Sequence, residues 1–177
     1  AITTSYWKPG ENYLQRITGS IKDKIEDGDI VTISEKAIST ALGNLIDERN
    51  IKAGLFARFL TRYWMRCVWG YILGPLCHLR KRTIHHFKTY PVVEGSIHKQ
   101  VALQRAGFLH ALMPWSEGGI DGSNLPYSYV SLPLKNAQQI AQRIRNHIKS
   151  ELGKDVAVMV VDTDKTYSMR SFHFTPR

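Results

Sequence analysis

The sequence predicts an α+β (mixed α/β) protein in which sheets are flanked by helices. Three observations carry this reading. A short apolar run, Ile30-Val-Thr-Ile33, leads straight into a helical pattern that begins at Ser34. A second run, Val156-Ala-Val-Met-Val-Val161, follows the clearest helical pattern in the chain, Asn136 to Leu152. Turn residues, Asp27-Gly28-Asp29 before the first strand and Gly153 after the helix, punctuate both.

Taken in order, Leu14, Ile17, Ile21 and Ile25 recur at helical spacing behind Pro9-Gly10. Ile30–Ile33 reads as a buried strand, and Ser34 is placed to cap a helix that ends near Gly43. A strand delivering polar residues to a helix start offers backbone N–H groups to an anion. Leu55 to about Tyr71 reads as a helix bearing one basic stripe, Arg58, Arg62 and Arg66, opposite Phe59, Tyr63 and Trp64. A basic stretch, Leu79-Arg-Lys-Arg-Thr83, follows Pro75, and Val101 to Leu112 admits either helix or strand. Tyr127 to Leu134 alternates as a strand does, with Val130, Leu132 and Leu134 on one face. The helix from Asn136 carries Ala137, Ile140, Ala141, Ile144 and Ile148 as its apolar stripe and stops at Gly153. Val156–Val161 reads as a strand buried on both faces and ends at Asp162-Thr163-Asp164.

Composition narrows the partners. Of 177 residues, 43% are hydrophobic and 22% charged, enough for a packed core and against wholesale disorder. Lys and Arg number 24 against 15 Asp and Glu, a formal charge of +9, which favours an anionic partner: nucleic acid, an acidic membrane surface or a small anion. Cys67 and Cys77 support no disulfide framework, and with His78, His85 and His86 their spacing is no zinc signature. The apolar run Cys67–Cys77 is 11 residues long and broken by Gly70, Gly74 and Pro75, too short to span a bilayer. A reducing, cytoplasmic setting is the expectation.

Two clusters invite a chemical reading beside a plain one. Asp162-Thr163-Asp164 lies past a strand, where carboxylates serve as hard ligands for Mg²⁺ or Mn²⁺, or simply form a solvated turn. The loop Glu117-Gly-Gly-Ile-Asp-Gly-Ser-Asn124 has glycines that let a ligand approach the backbone, or form a tight turn. It lacks the Gly-Lys-Ser/Thr ending of a Walker loop. Asp121 and Asp162 are able to share a divalent ion bridging phosphates, an arrangement the sequence permits without requiring.

Four stretches in register resemble the coenzyme F420-0:γ-glutamyl ligase family. Glu26-Asp-Gly-Asp through Gly43 resembles its DGD segment with a following (Q/E)-K pair. Gly119-Ile-Asp-Gly-Ser-Asn124 resembles its GxDxSN loop, with a strand ending in Leu132-Pro-Leu134 behind it. Val158 to Thr163 resembles its strand ending in DT, and Ser5 to Ile17 its opening segment. The resemblance implies a GTP- and divalent-metal-dependent ligase that joins L-glutamate by an amide bond to a deazaflavin coenzyme precursor, through an acyl phosphate. It implies Asp121, Asp162 and Thr163 as ligands of Mg²⁺ or Mn²⁺. Lys8, Glu35, Lys36 and Asn124 are implied as nucleotide contacts, and Thr40 stands where the family has a lysine. A homodimer is also implied.

The resemblance has gaps. Leu42 replaces a family glutamate, and Asp164-Lys-Thr-Tyr167 replaces an FGR run. Residues 54–90 have no counterpart and read as an apolar and basic helical insertion in a single domain, 1–177. The chain stops 15 residues after Asp162, so a family C-terminal segment is expected to be missing. Two other readings stay open: a relative that binds nucleotide or deazaflavin without catalysis, and a basic nucleic-acid-binding module using Arg58, Arg62, Arg66 and Arg80–Arg82.

Overall fold

A computed structural model of the chain describes residues 1–114, 117–122, 125, 128–162, 167–169 and 172–174. It divides into two compact units, the first formed by 1–45 with 131–163 and the second by 46–130 with 164–177. Both combine small sheets with helices, the mixed architecture that the sequence predicts.

In the first unit, α1 (Tyr13–Ile21) starts where the Asn12 side chain accepts the N–H groups of Leu14 and Gln15 at 3.1 and 3.3 Å. Strands β1 (Ile30–Ser34) and β4 (Ala157–Val161) pair in parallel, Ile30 opposite Ala157 and Ser34 opposite Val161. The predicted turn before β1 sets this register. Gly28, at φ +88°, donates to Asp155 O at 2.8 Å, and Asp27 Oδ1 accepts Asp155 N–H at 2.7 Å. Helix α2 (Glu35–Ala41) follows β1 directly, and α8 (Ala137–Leu152) precedes β4, ending on left-handed Gly153. Ile144 and Ile148 of α8 join Ile17, Ile21, Ile33 and Ile38 in one core.

Both strands depart from the expected burial. Val31, Ile33, Val158 and Val160 face the core, whereas Ile30 is 64% and Met159 50% exposed. An apolar run records what a strand tolerates, not how many layers cover it. Ser34 occupies the N-cap position of α2 but makes no capping bond through its side chain. The first turn is instead occupied by the buried carboxylate of Glu35.

Strands β2 (Leu45–Asp47) and β3 (Tyr129–Ser131) pair with each other, and the chain passes from the first unit to the second within β2 and returns within β3. In the second unit, α3 (Leu55–Phe59) continues into a wide helix, Leu60–Leu73, and then into the single turn α4 (Gly74–Leu76). The wide helix is wound i→i+5: Gly74 N–H bonds Trp69 O, and the next residue, Pro75, has no N–H to offer. Across α3 and the wide helix the buried residues include Ala57, Thr61, Met65 and Trp69, four residues apart. The expected basic stripe is therefore split. Arg58 and Arg62 are exposed, but Arg66 turns inward, its Nε donating to Tyr90 O at 2.8 Å. Phe59 and Tyr63 are not a buried counter-face; each is about half exposed, and the Arg62 guanidinium lies 5.9 Å from the Tyr63 ring centre.

Helix α5 (Lys81–Lys88) packs Phe87 against Met65 and Trp69. The stretch with no clear sequence period is α6 (Val92–Arg105), which ends before left-handed Gly107 and is followed by α7 (Phe108–Ala111). Strands β5 (Tyr167–Met169) and β6 (Phe172–Phe174) form an antiparallel pair. Helix α6 approaches the wide helix closely because Gly95 has no side chain. A Cβ there would run into the Tyr90 ring and lie 3.0 Å from Thr61 Cγ2. Gly95→Ala is expected to cost about 1–3 kcal/mol through overpacking, despite alanine's better helix propensity. Urea unfolding checks this; a variant as stable as the parent would show that the helices part without cost.

Candidate functional site

In the first unit, the parallel pairing gathers candidate residues at one edge. Ser34 and Val161 are register partners, so Glu35-Lys36 and Asp162 leave the carboxyl ends of adjacent strands. That edge is where open α/β sheets place their ligands. Asp162 is half-buried there. Glu35 is 6% exposed, and its carboxylate accepts Leu134 N–H at 2.6 Å. One turn on, buried Ser39 donates to Leu132 O at 2.8 Å. Two polar side chains on one face of α2 thus hold the main chain on either side of Pro133, which lacks an N–H.

The other first-unit candidates are placed differently. Thr40 is 3% exposed and donates to Lys36 O at 2.8 Å. Lys8 is exposed, and its segment is pinned to the far end of α2 by Gly10 N–H on Ala41 O at 2.9 Å. A cavity of about 530 Å³ under the N-terminal segment is lined by Trp7, Ile17, Lys24 and Ser34, and by none of these candidates.

Asp121 belongs to the second unit, half-buried behind buried Ile120. Asn124 and Thr163 lie outside the described residues. Among the described residues no three His, Cys, Asp or Glu side chains form a metal cluster, the Cys67 and Cys77 region included. A magnesium-type ion needs fewer: one or two carboxylates, with phosphate oxygens and water completing its shell. Asp121 in the second unit and Asp162 in the first each offer the hard oxygen donors that such an ion takes.

A buried ion network that no motif in the sequence marks precedes Asp121. His98 on α6 places Nδ1 2.6 Å from Glu48 Oε1 and Nε2 2.5 Å from Glu117 Oε2. Neighbouring Lys99, fully buried, donates to Glu117 Oε1 and to Met113 O, the latter at 2.5 Å. Burial alone would lower the His98 pKa, but the charges and hydrogen bonds of Glu117 and Glu48 reverse this and raise it to about 10. Burial likewise pushes Glu117 upward, and the charges of His98 and Lys99 outweigh it, holding Glu117 below its ordinary value. Tyr90 is pushed well above its ordinary value by burial first and then by Glu117 and Glu48. The trace left in the sequence is spacing alone: Lys99 stands four residues after Gly95 and three before Ala102, and the fold buries all three.

With this geometry in view, the comparisons with known proteins are specific. The sequence matches the F420-0:Gamma-glutamyl ligase family over residues 1–172. The chain belongs to this family, as its motifs suggested. It is 43% identical over 177 residues to an uncharacterized protein of Methanocaldococcus jannaschii, a match covering 98% of this chain and 60% of that protein. It is 25% identical over 162 residues to a protein of Methanopyrus kandleri named coenzyme F420:L-glutamate ligase, covering 88% of this chain and 55% of that protein. The chain thus spans somewhat more than half the length of these relatives. Among the described residues no helix is long and apolar enough to cross a membrane.

Proposed function

We propose that the chain forms part of a GTP- and divalent-metal-dependent ligase that adds L-glutamate to a deazaflavin coenzyme F420 precursor or a similar anionic acceptor. The observation that carries this is the family match over residues 1–172, which takes in both Asp121 and Asp162, the latter at the carboxyl edge of β1 and β4. An acceptor carboxylate oxygen would attack the γ-phosphorus of GTP and expel GDP. The glutamate amine would then attack the acyl carbon, lose a proton and expel phosphate, leaving an amide. A bound Mg²⁺ or Mn²⁺ would neutralise charge on the transferring phosphoryl group. Asp121 and Asp162, with Thr163 beside the second, would hold that ion. Lys8, Lys36 and Asn124 would meet the nucleotide. Glu35 would act from behind them, fixing the Leu132–Leu134 main chain, with Thr40 closing the same helix. In keeping with the family resemblance, the working form is a homodimer.

The charge distribution bears on the partner. Residues 46–130 hold eleven Lys and Arg against five Asp and Glu, so most of the surplus lies outside the unit carrying β1 and β4. The test is GTP titration with and without Mn²⁺ on the parent, Asp121→Ala and Asp162→Ala. Each substitution is expected to weaken metal-dependent binding by about 100-fold or more, since losing even a group behind a metal ligand costs about 10–100-fold. Equal GTP affinity in all three, or binding indifferent to Mn²⁺, would sink the proposal. GTP binding without turnover on precursor and glutamate would leave a non-catalytic binder. Steeply salt-dependent RNA binding in place of GTP binding would favour the nucleic-acid reading.

A further inference from the structure

The segment that enters the Asp121 loop is held by side chains at successive points, all within the second unit. The indole N–H groups of Trp64 and Trp69, on the wide helix, both donate to Leu112 O, at 2.8 and 2.9 Å. The ammonium of Lys99 takes the next carbonyl, Met113 O, at 2.5 Å and also grips Glu117. His98 takes the other Glu117 oxygen and is itself backed by Glu48. Beyond Glu117 the backbone turns through Gly118 and Gly119, at φ +68° and +81°. A Cβ on Gly118 would sit 2.5 Å from Ala106 Cβ, so the turn is pressed onto the end of α6. Ile120 is then buried, and Asp121 follows.

Such a concentration of donors is hard to explain by stability alone. A buried lysine paired with a buried glutamate is at best an even exchange against apolar residues of the same volume. What the arrangement supplies is position: two consecutive carbonyls and one carboxylate are fixed within ten residues of a single aspartate. We infer that Trp64, Trp69, His98, Lys99 and Glu117 are positioning residues that set where the Asp121 carboxylate stands. This also gives the 54–90 segment a role, since it supplies both indoles. The inference rests on the reading of Asp121 as a metal-binding residue, and it extends that reading to the residues behind it.

Two readouts test it, amide hydrogen exchange and Mn²⁺ titration, each set beside the thermal midpoint. The double variant Lys99→Met with Glu117→Gln removes both charges at nearly constant volume. It is expected to speed exchange at residues 117–122 at least tenfold, with α5 and α8 unchanged, and to weaken Mn²⁺ binding about 10–100-fold, as loss of groups behind a metal ligand does. Should that variant fail to fold, Trp64→Phe with Trp69→Phe keeps both rings in the core and deletes only the donors to Leu112 O. Faster exchange is then expected around residues 112–117, with the same direction in Mn²⁺ affinity. Parent-like exchange in a folded variant overturns the inference, as does faster exchange with unchanged Mn²⁺ affinity. If the parent itself binds no Mn²⁺, the functional reading falls instead, and the link to metal placement falls with it, while the exchange result still decides whether these groups anchor the loop.

Discussion

Lys99→Met, made alone, is expected to lower the free energy of unfolding by about 3–5 kcal/mol, the range for removing one partner from a buried ion pair. Methionine matches lysine in length and volume, so no cavity opens and the loss is electrostatic. Glu117, itself 3% exposed, would keep His98 but lose the ammonium on Oε1, and Met113 O would lose its donor. Adding Glu117→Gln should return part of the stability, because a neutral amide has less desolvation to recover. The double-mutant cycle is therefore expected to show coupling of about 1–3 kcal/mol between the two sites. Urea unfolding of the parent, both single variants and the double measures it. A Lys99→Met protein within 1 kcal/mol of the parent would mean that the pair is solvated and lightly coupled.

How much of this was legible in the sequence differs sharply between the two units. In the first, α8 announced itself through Ile140, Ile144 and Ile148 and ends at Gly153 as read, its start displaced by one residue. The Asp27-Gly28-Asp29 turn, β1 and β4 were legible in place, though not in burial. Ile30, Met159 and Val161 are apolar yet exposed, and no property of those residues encodes a missing layer. In the second unit the signal fails for a physical reason. The buried residues of α6 are Gly95, Ser96, Lys99, Val101 and Ala102, mostly small or charged groups that give no hydrophobic period. The ion network joins Glu48 to His98 across 50 residues and His98 to Glu117 across 19, separations that only the folded chain closes. Trp64 and Trp69 were recognisable as apolar bulk, but the carbonyl that both indoles share lies more than 40 residues away. Of the proposed site, Asp121 and Asp162 were legible as residues. The groups behind Asp121 were not, because a positioning role depends on contact and leaves no motif.

The same network gives stability a pH dependence on the alkaline side, where few proteins owe it to a histidine. The folded-state pKa of His98 stands at about 10, above the ordinary 6.5 of the unfolded chain. A group raised on folding contributes fully below its unfolded pKa, and that contribution is lost as pH rises through the folded value. Stability should therefore decline between about pH 6.5 and 10, with a slope of at most about 1.4 kcal/mol per pH unit for one proton. The total is expected to be a few kcal/mol. Glu117 acts in the opposite direction and elsewhere: its pKa is depressed, so its contribution is present above the unfolded value near 4.5 and is lost on acidification. Tyr90, pushed above its ordinary 10, adds to the decline only near the top of this window, where the phenol of the unfolded chain begins to ionise, and it does so equally in parent and variant. The measurement is urea unfolding at pH 6, 8 and 9.5 on the parent and on His98→Gln. The variant is expected to be less stable at pH 6 and to converge on the parent as pH rises. A gap that stays constant from pH 6 to 9.5 would show that folding does not raise the His98 pKa.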